Sequence, residues 1–285
     1  MNVHELIAWD LDEYSYRRAA VDIAGEEEFA KRIVSAQLRL AKRELYANCS
    51  ALLLEETERI RPLLRECAER PDLQQEYEGL DWALGVVDLG LLLAFQRRLV
   101  FGPVQHTLSI QQDDWPELIA LTLGPQRDTR YHLVCNNHTS NNLDISLHSA
   151  NPDLQLRLLP NAGANGYSPL SLYGGSPFFE AAELRGRWFL RDGYHRAYRL
   201  LQAGVDRVPA VVIKARTLEE LGATDTWFFS EDTLFSDRPP RIADFLEEDL
   251  VLRYDRIPLR KVIRVRIEES LQPFDSIEKI QGDEL

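Results

Sequence analysis

The run of residues from Asp192 to Arg199 carries side chains of the types that bind a phosphate group. A short apolar strand gives way there to an amphipathic helix, expected over 194–203, through Asp192-Gly193-Tyr194-His195-Arg196. Because glycine has no Cβ, Gly193 would let a ligand approach the main chain closely. The free N–H groups of the first helical turn, at the positive end of the helix dipole, favour an anion. The spacing therefore predicts a phosphate-sized site.

Cationic side chains would complete this site. His195 and Arg196 lie in the first helical turn, and Arg199 shares their helix face. Cations at a helix N-terminus oppose the helix dipole and would destabilise the helix by themselves. Their presence here is therefore better explained if they bind an anion. Tyr194 belongs to the same binding turn, although its ring is expected to pack inward. The alternative is that Asp192 only caps the helix, a contribution of about 1 kcal/mol, and that the arginines form a solvated face.

Three carboxylates near the turn are candidate catalytic groups: Asp192, Glu180 and Glu183. If the site is catalytic, phosphoryl transfer or hydrolysis is the natural reaction class, because positioning and charge neutralisation dominate it. A carboxylate would bind a divalent metal or deprotonate an acceptor. The bound cofactor would then be ATP or CTP with Mg²⁺. Capping, or a surface ion pair with Arg185 or Arg187, is the competing interpretation of these acids.

The charge distribution indicates where an anion could bind. The chain has 285 residues and a formal net charge of -13, which disfavours binding to nucleic acid and to anionic membranes. Residues 154–216 nevertheless contain nine Lys/Arg and only four Asp/Glu. Residues 217–250 contain ten Asp/Glu and two Lys/Arg, a poor surface for reading DNA.

Histidines and cysteines give no strong metal signal. His132, Cys135 and His138 crowd one segment with His148 nearby, but their spacing matches no usual zinc pattern, and we interpret them as ordinary sheet and loop residues. The chain has three scattered cysteines, which is typical of a reducing cytoplasm. We expect no signal peptide at the N-terminus, and the most apolar stretch, 89–95, is too short to span a bilayer.

The pattern of apolar residues predicts an α+β protein. Helices are expected over 26–64 and 73–100, from three- and four-residue spacing and from a stretch that is apolar on most faces. Strands are expected over 118–123, 131–134, 143–147, 154–158, 178–184, 187–190, 208–213, 250–254 and 261–267. The predicted domains are a helical domain (1–102), a β-rich connecting region (103–153), an α/β module (154–216) and an acidic α/β extension (217–285).

The module over 154–216 resembles the ParB/sulfiredoxin superfamily. The resemblance rests on the Asp-Gly-Tyr-His-Arg turn opening a helix, on Gly204, and on the following Val208-Pro209 strand, with a hairpin over 176–190 leading in. It implies that Gly193, His195 and Arg196 form a phosphate-binding turn. Tyr194 stands where sulfiredoxins have their reactive cysteine, so sulfinic-acid reduction is disfavoured, since that chemistry needs a thiolate.

Three functions remain open on this basis. The first is a cytoplasmic, bacterial nucleotide-binding protein, a phosphotransferase or hydrolase. The second is a non-catalytic interaction or regulatory protein that forms a homo-oligomer through its N-terminal helices. The third is a ParB-like nuclease or DNA-associated protein, which the local positive charge permits and the net charge of the chain disfavours. The first requires that His195 and Arg196 face an open pocket.

Overall fold

A computed structural model describes the helices and strands that position these residues. It describes residues 1–9, 26–102, 108–124, 132–139, 142–149, 154–158, 170–224, 227–257 and 259–268. Helices and strands both contribute widely, which confirms the α+β class. Within these ranges no helix is long and apolar enough to cross a membrane.

The described part of the chain contains the following strands, α-helices and 3₁₀ helices, numbered in chain order. The strands are β1 (Asn2–Leu6), β2 (Trp82–Asp88), β3 (Arg98–Phe101), β4 (His132–Thr139), β5 (Asn142–Ser149), β6 (Gln155–Leu158), β7 (Leu170–Tyr173), β8 (Glu180–Leu184), β9 (Arg187–Asp192), β10 (Arg207–Lys214), β11 (Val251–Asp255) and β12 (Lys261–Glu268). The α-helices are α1 (Glu26–Ala41), α2 (Leu54–Arg59), α3 (Arg61–Ala68), α4 (Pro71–Glu76), α5 (Trp115–Thr122), α6 (Tyr194–Gln202), α7 (Leu218–Leu221) and α8 (Glu231–Leu234). Short 3₁₀ helices span Leu89–Leu91 and Ile242–Leu246.

The chain forms two compact units, which we describe separately. The first combines Met1–Gln126 with Ser176–Pro258, and the second combines Arg127–Gly175 with Leu259–Leu285. In the second, β12, β5 and β4 form an antiparallel sheet, and β6 pairs with β7. These units do not coincide with the four predicted segments. Strand β6 starts the predicted module 154–216 but belongs to the second unit, and strand β2, from the predicted helical domain, pairs with β10 of the module.

A four-stranded sheet in the order β2-β10-β8-β9 carries the predicted turn. β10 is antiparallel to β2 and parallel to β8, and β8 and β9 form a hairpin. Arg185 and Gly186 at its tip have φ of 53° and 78°, as a tight two-residue hairpin turn requires. Helix α6 then connects β9 to β10, burying Tyr194, Ala197, Tyr198 and Leu200. This hairpin, helix and strand confirm the elements predicted between 178 and 213.

The predicted helix over 73–100 is wrong. Only α4 lies at its start, and the rest forms β2, a 3₁₀ turn and β3. Val86 and Val87 are fully buried in the sheet, and a Cβ added at Gly85 would lie 2.5 Å from Leu52 Cδ1. A strand buried within a domain is a continuous apolar run, which periodicity cannot distinguish from a buried helix.

Two further predictions are corrected in the first unit. The stretch 118–123, predicted as a strand, lies mostly in helix α5, because Asp114 caps it by accepting a hydrogen bond from the Glu117 N–H at 3.3 Å and Pro116 stands in its first turn. The single helix predicted over 26–64 is interrupted after Ala41 and resumes as α2 and α3. The strands predicted within 131–134, 143–147, 154–158, 250–254 and 261–267 are confirmed.

A second sheet of the first unit, in the order β11-β1-β3, buries two ionisable groups. Glu5 accepts a hydrogen bond from Tyr254 Oη at 2.7 Å. His4 is 6% exposed and packs against Phe101 and Tyr198, with ring centroids 4.7 and 5.4 Å away. Burial, with a smaller effect of Arg253, lowers the pKa of His4 from 6.5 to about 4.

His4 should make the fold sensitive to mild acid. Between pH 6.5 and about 4 the unfolded chain binds a proton at this position that the folded chain does not, so the free energy of unfolding should fall as the pH is lowered through that range. His4→Phe keeps an aromatic ring between Phe101 and Tyr198, and should flatten this slope. Urea denaturation at a series of pH values measures it, and an unchanged slope in the variant would contradict the assignment.

Candidate functional site

Gly193 opens helix α6, but the protein itself fills the space beside it. Its φ is +98°, in the left-handed region that favours glycine. A Cβ at this position would lie 2.5 Å from Cδ2 and 2.9 Å from Cε2 of Phe179. Phe179 is fully buried. The glycine is therefore required by close packing on a core aromatic ring, rather than by the approach of a ligand.

Tyr194 points into the core, as expected. Its Oη accepts hydrogen bonds from the main-chain N–H groups of Phe95, at 3.0 Å, and Gln96, at 3.4 Å. Its ring lies edge-on to that of Phe95, with centroids 5.7 Å apart. Burial raises the pKa of the hydroxyl, so Tyr194 is a neutral anchor for the 95–96 segment.

Arg196 is occupied by the main chain. Its Nη1 donates to the carbonyl oxygens of Pro177, at 2.8 Å, and Leu121, at 3.3 Å, and its Nη2 donates to that of Phe178, at 2.8 Å. Asp192 is its nearest carboxylate, at 4.0 Å. Burial lowers the pKa of the guanidinium, an effect that Asp192 partly offsets. Arg196 therefore ties the C-terminal turn of α5 and the chain entering β8 to helix α6.

His195 and Arg199 lie on the same helix as Arg196, and their side chains differ in exposure. His195 is exposed, its Nε2 lies 3.0 Å from the carbonyl oxygen of Val100, and its ring lies edge-on to Phe101 with centroids 5.2 Å apart. Arg199 is partly buried. The phosphate site predicted at this turn stays a prediction, and the carbonyl partners of Arg196 weigh against it.

The three predicted catalytic carboxylates have separate structural partners. Glu180 is 1% exposed, accepts from Tyr77 Oη at 2.5 Å and forms an ion pair with Arg191. Glu183 accepts from the Gly186 N–H at 2.7 Å and so stabilises the hairpin turn. Asp192 is 43% exposed in its side chain and faces Arg196. Each acid therefore already has a structural partner, and the catalytic role of the three acids stays a prediction.

The histidines of the second unit face each other across a strand pair. His132 lies directly opposite His148 in the register of β4 and β5, and Cys135 lies opposite Ile145. Within the described ranges no group of three His, Cys, Asp or Glu residues is placed to hold a metal ion. The side chains of Cys135 and His138 lie outside the described residues.

A cavity of about 270 Å³ in the first unit brings together polar groups that the sequence did not connect. We call it the arginine cavity. It lies where the chain leaves helix α1 and passes the 3₁₀ helices, and its walls are formed by Arg43, Glu44, Leu45, Tyr46, Ala47, Cys49, Leu91 and Arg241. The main chain is fixed there, because the Tyr46 N–H donates to the carbonyl oxygen of Asp237 at 2.8 Å.

Hydrogen bonds and an ion pair hold the Arg43 side chain in the wall of the arginine cavity. Its Nη1 lies 2.9 Å from both carboxylate oxygens of Asp244, and its Nη2 donates to the carbonyl oxygen of Pro239 at 2.5 Å. Asp244 is 2% exposed and also accepts from the main-chain N–H of Arg241 at 2.7 Å. The Nε of Arg43 is buried and has no hydrogen-bond partner among the described residues.

Tyr46 and Arg241 add further donors to this cavity. The hydroxyl of Tyr46 is buried, and its proton has no acceptor among the described residues, although the Trp188 N–H acts on its oxygen. The Arg241 guanidinium lines the same cavity and forms no ion pair with a residue that the structure describes. Burial and the neighbouring Cys49 raise the pKa of Tyr46, whereas Arg187, the Trp188 N–H and Arg241 act in the opposite direction. The arginine cavity thus combines positive charge with buried, unpaired hydrogen-bond donors.

Nothing in a single sequence indicates this cavity. Arg43 and Arg241 are separated by almost the whole first unit, and each is one arginine among many on the surface. Tyr46 stands in the stretch that was predicted to be helical, where its hydroxyl would have been placed in solvent. The local feature that accompanies the cavity is the break after Ala41, which releases residues 44–50 from the helix.

Comparisons with protein-family models, with curated proteins and with solved structures find no match for this chain. The resemblance of residues 154–216 to the ParB/sulfiredoxin superfamily therefore stays a prediction.

Replacing Gly193 should show what the turn requires. Gly193→Ala adds left-handed strain, about 1–2 kcal/mol, and overpacking against Phe179, about 1–3 kcal/mol. Gly204→Ala is the matched control, because Gly204 also has positive φ, 78°, but a Cβ there would meet no atom within 4 Å. Urea denaturation should therefore show a larger loss for Gly193→Ala, and equal losses would exclude the contact with Phe179.

Removing the Arg196 guanidinium should weaken the fold itself. Arg196→Ala leaves buried carbonyl groups without donors, so we expect the free energy of unfolding to fall by about 2–4 kcal/mol. Arg199→Ala, one turn along the same helix, should change it by less than about 0.5 kcal/mol. Thermal and urea denaturation of both variants measure this difference, and a fully stable Arg196→Ala would refute the structural role.

Proposed function

We propose that this protein binds a small phosphate-bearing molecule, and that it does so in the arginine cavity rather than at the turn of helix α6. The observation that carries the proposal is that the Tyr46 hydroxyl and the Arg43 Nε are both buried without a hydrogen-bond partner among the described residues, and that they line the same cavity as the Arg241 guanidinium. A buried donor without a partner costs about 1–3 kcal/mol of desolvation, which an anionic guest would offset.

The chemistry of the donors favours phosphate over a neutral ligand. A guanidinium presents a planar fork of N–H groups that matches two oxygens of a phosphate. Tyr46 would donate a further hydrogen bond. Arg43 adds positive charge, although Asp244 already holds two of its hydrogen bonds. Glu44, on the same wall, opposes anions and would favour a ligand whose charge lies toward Arg241.

The size of the cavity limits the ligand. At about 270 Å³ it is slightly smaller than the usual range of small-molecule pockets, about 300–1,000 Å³. It therefore fits a phosphate group and a short attached body, which Leu45, Ala47 and Leu91 would contact through their apolar surfaces. The nucleotide that the sequence suggests, ATP or CTP with Mg²⁺, would place its phosphates in the cavity and its base outside.

Titration calorimetry with inorganic phosphate, ribose 5-phosphate, ATP and CTP, each with and without Mg²⁺, tests the proposal. We expect at least one of these ligands to bind. Arg241→Gln and Tyr46→Phe should each weaken that binding by about 10- to 100-fold, the effect of one lost hydrogen bond to a charged group. Tyr46→Phe removes one hydroxyl and keeps the ring, so the fold should keep most of its stability.

Arg199→Gln is the matched control, because it removes a cation from helix α6 and leaves the cavity intact. It should bind the ligand as tightly as the natural chain. Binding that is lost in Arg199→Gln and kept in Arg241→Gln would overturn the proposal and return the site to the turn. The absence of binding by every ligand of the panel would also overturn it.

A further inference from the structure

Helix α1 has a buried face and an apolar outer face. Phe29 and Ala36 are fully buried, and Ile33 and Leu40 pack beside them against the core of the first unit. On the opposite side, Val34 is 54% exposed and Leu38 is 59% exposed. These two residues are four apart, so they lie one above the other on the helix surface.

Small exposed residues extend this apolar surface along the helix. Ala30 and Ala41 are exposed and lie on the same side of α1 as Val34 and Leu38. We call Val34 and Leu38 the outer stripe. A single exposed leucine is common on protein surfaces, but aligned ones on the solvent side of an amphipathic helix are typical of a contact surface.

The charges of helix α1 differ between its two ends. Its first turn contains Glu26, Glu27 and Glu28, whereas its last turn and the following residues contain Arg39 and Lys42. Arg39 is 3.5 Å from Glu247, and Lys31 is 2.8 Å from Glu27, so both of these cations already have partners. Lys42, in contrast, is exposed and forms no ion pair with a described residue.

We propose that two copies of this chain pair through the outer stripe, with their α1 helices antiparallel. A twofold axis between Val34 and Leu38 would place Val34 of each copy against Leu38 of the other, as a self-complementary interface requires. It would also bring Lys42 of one copy near Glu27 of the other, an exposed carboxylate that pairs with Lys31 of its own helix and can accept a second cation. A parallel pairing would instead oppose acids to acids and bases to bases, which is repulsive. Charge complementarity thus selects both the partner and the orientation.

The contact should be weak. Helix α1 is about 24 Å long, at 1.5 Å per residue, and contributes only a few apolar side chains. An interface of this size lies at or below the lower limit of specific assemblies. We therefore expect a concentration-dependent dimer with a dissociation constant on the order of micromolar.

Sedimentation velocity over a series of concentrations, from about 1 to about 200 μM, tests the pairing. The natural chain should change from monomer to dimer across the series, and Leu38→Glu should remain monomeric. Because Leu38 is exposed, its replacement should leave the melting temperature of the monomer unchanged. Leu54→Glu is the matched control, since Leu54 is 67% exposed but lies on α2, outside the stripe, and it should dimerise normally.

A charge reversal tests the orientation. Lys42→Glu should weaken the dimer severalfold, and the double variant Glu27→Lys/Lys42→Glu should recover most of the loss, because the two groups face each other across an antiparallel interface. A natural chain that stays monomeric at all concentrations would overturn the pairing. So would a dimer that survives Leu38→Glu, or a double variant no tighter than Lys42→Glu alone. None of these substitutions alters a residue that lines the arginine cavity, so the outcome is independent of ligand binding there.

Discussion

The guanidinium of Arg196 joins three segments of the first unit that are distant in sequence. It donates to the carbonyl oxygen of Leu121 in the last turn of helix α5 and to those of Pro177 and Phe178, just before strand β8. Its own backbone belongs to helix α6. The charge is buried against carbonyl dipoles rather than against a close carboxylate. Removing any of these acceptors would leave a desolvated cation, so the position of α6 on the sheet depends on all of them.

This constraint explains why a convincing local motif has a structural role here. A glycine with positive φ, a helix N-terminus and an arginine in the first turn are what a phosphate site needs, and they are equally what a tightly packed strand-to-helix turn needs. Carbonyl oxygens present the same partial negative charge to a guanidinium that phosphate oxygens would. The difference lies in what occupies the space above Gly193, which is Phe179, a residue on the neighbouring strand segment. Residue types and spacing cannot decide between these cases.

The predictable part of the fold was the part fixed by local signals. The hairpin with Arg185-Gly186 at its tip, helix α6 ended by Gly204, and strand β10 follow from turn residues and periodicity, and the inward direction of Tyr194 followed from the same pattern. Strand β2 and helix α5 were predicted wrongly because the spacing of their apolar residues fits a helix as well as a strand. Contacts with residues distant in sequence decide which of the two forms. The arginine cavity was missed for a related reason, since Arg43 and Arg241 meet only through the contacts of Asp244.

The end of helix α1 also depends on contacts with residues that are distant in sequence. The chain leaves the helix after Ala41 and runs through 44–50 without helix or strand, where Tyr46 lies near Arg187 and Arg241 while Leu45 stays exposed. Had the helix continued, as its composition favoured, Tyr46 and Leu45 would have projected from successive positions around its axis, 100° apart. One short break in a helix thus brings a buried hydroxyl and a partly exposed apolar side chain to the wall of the same cavity.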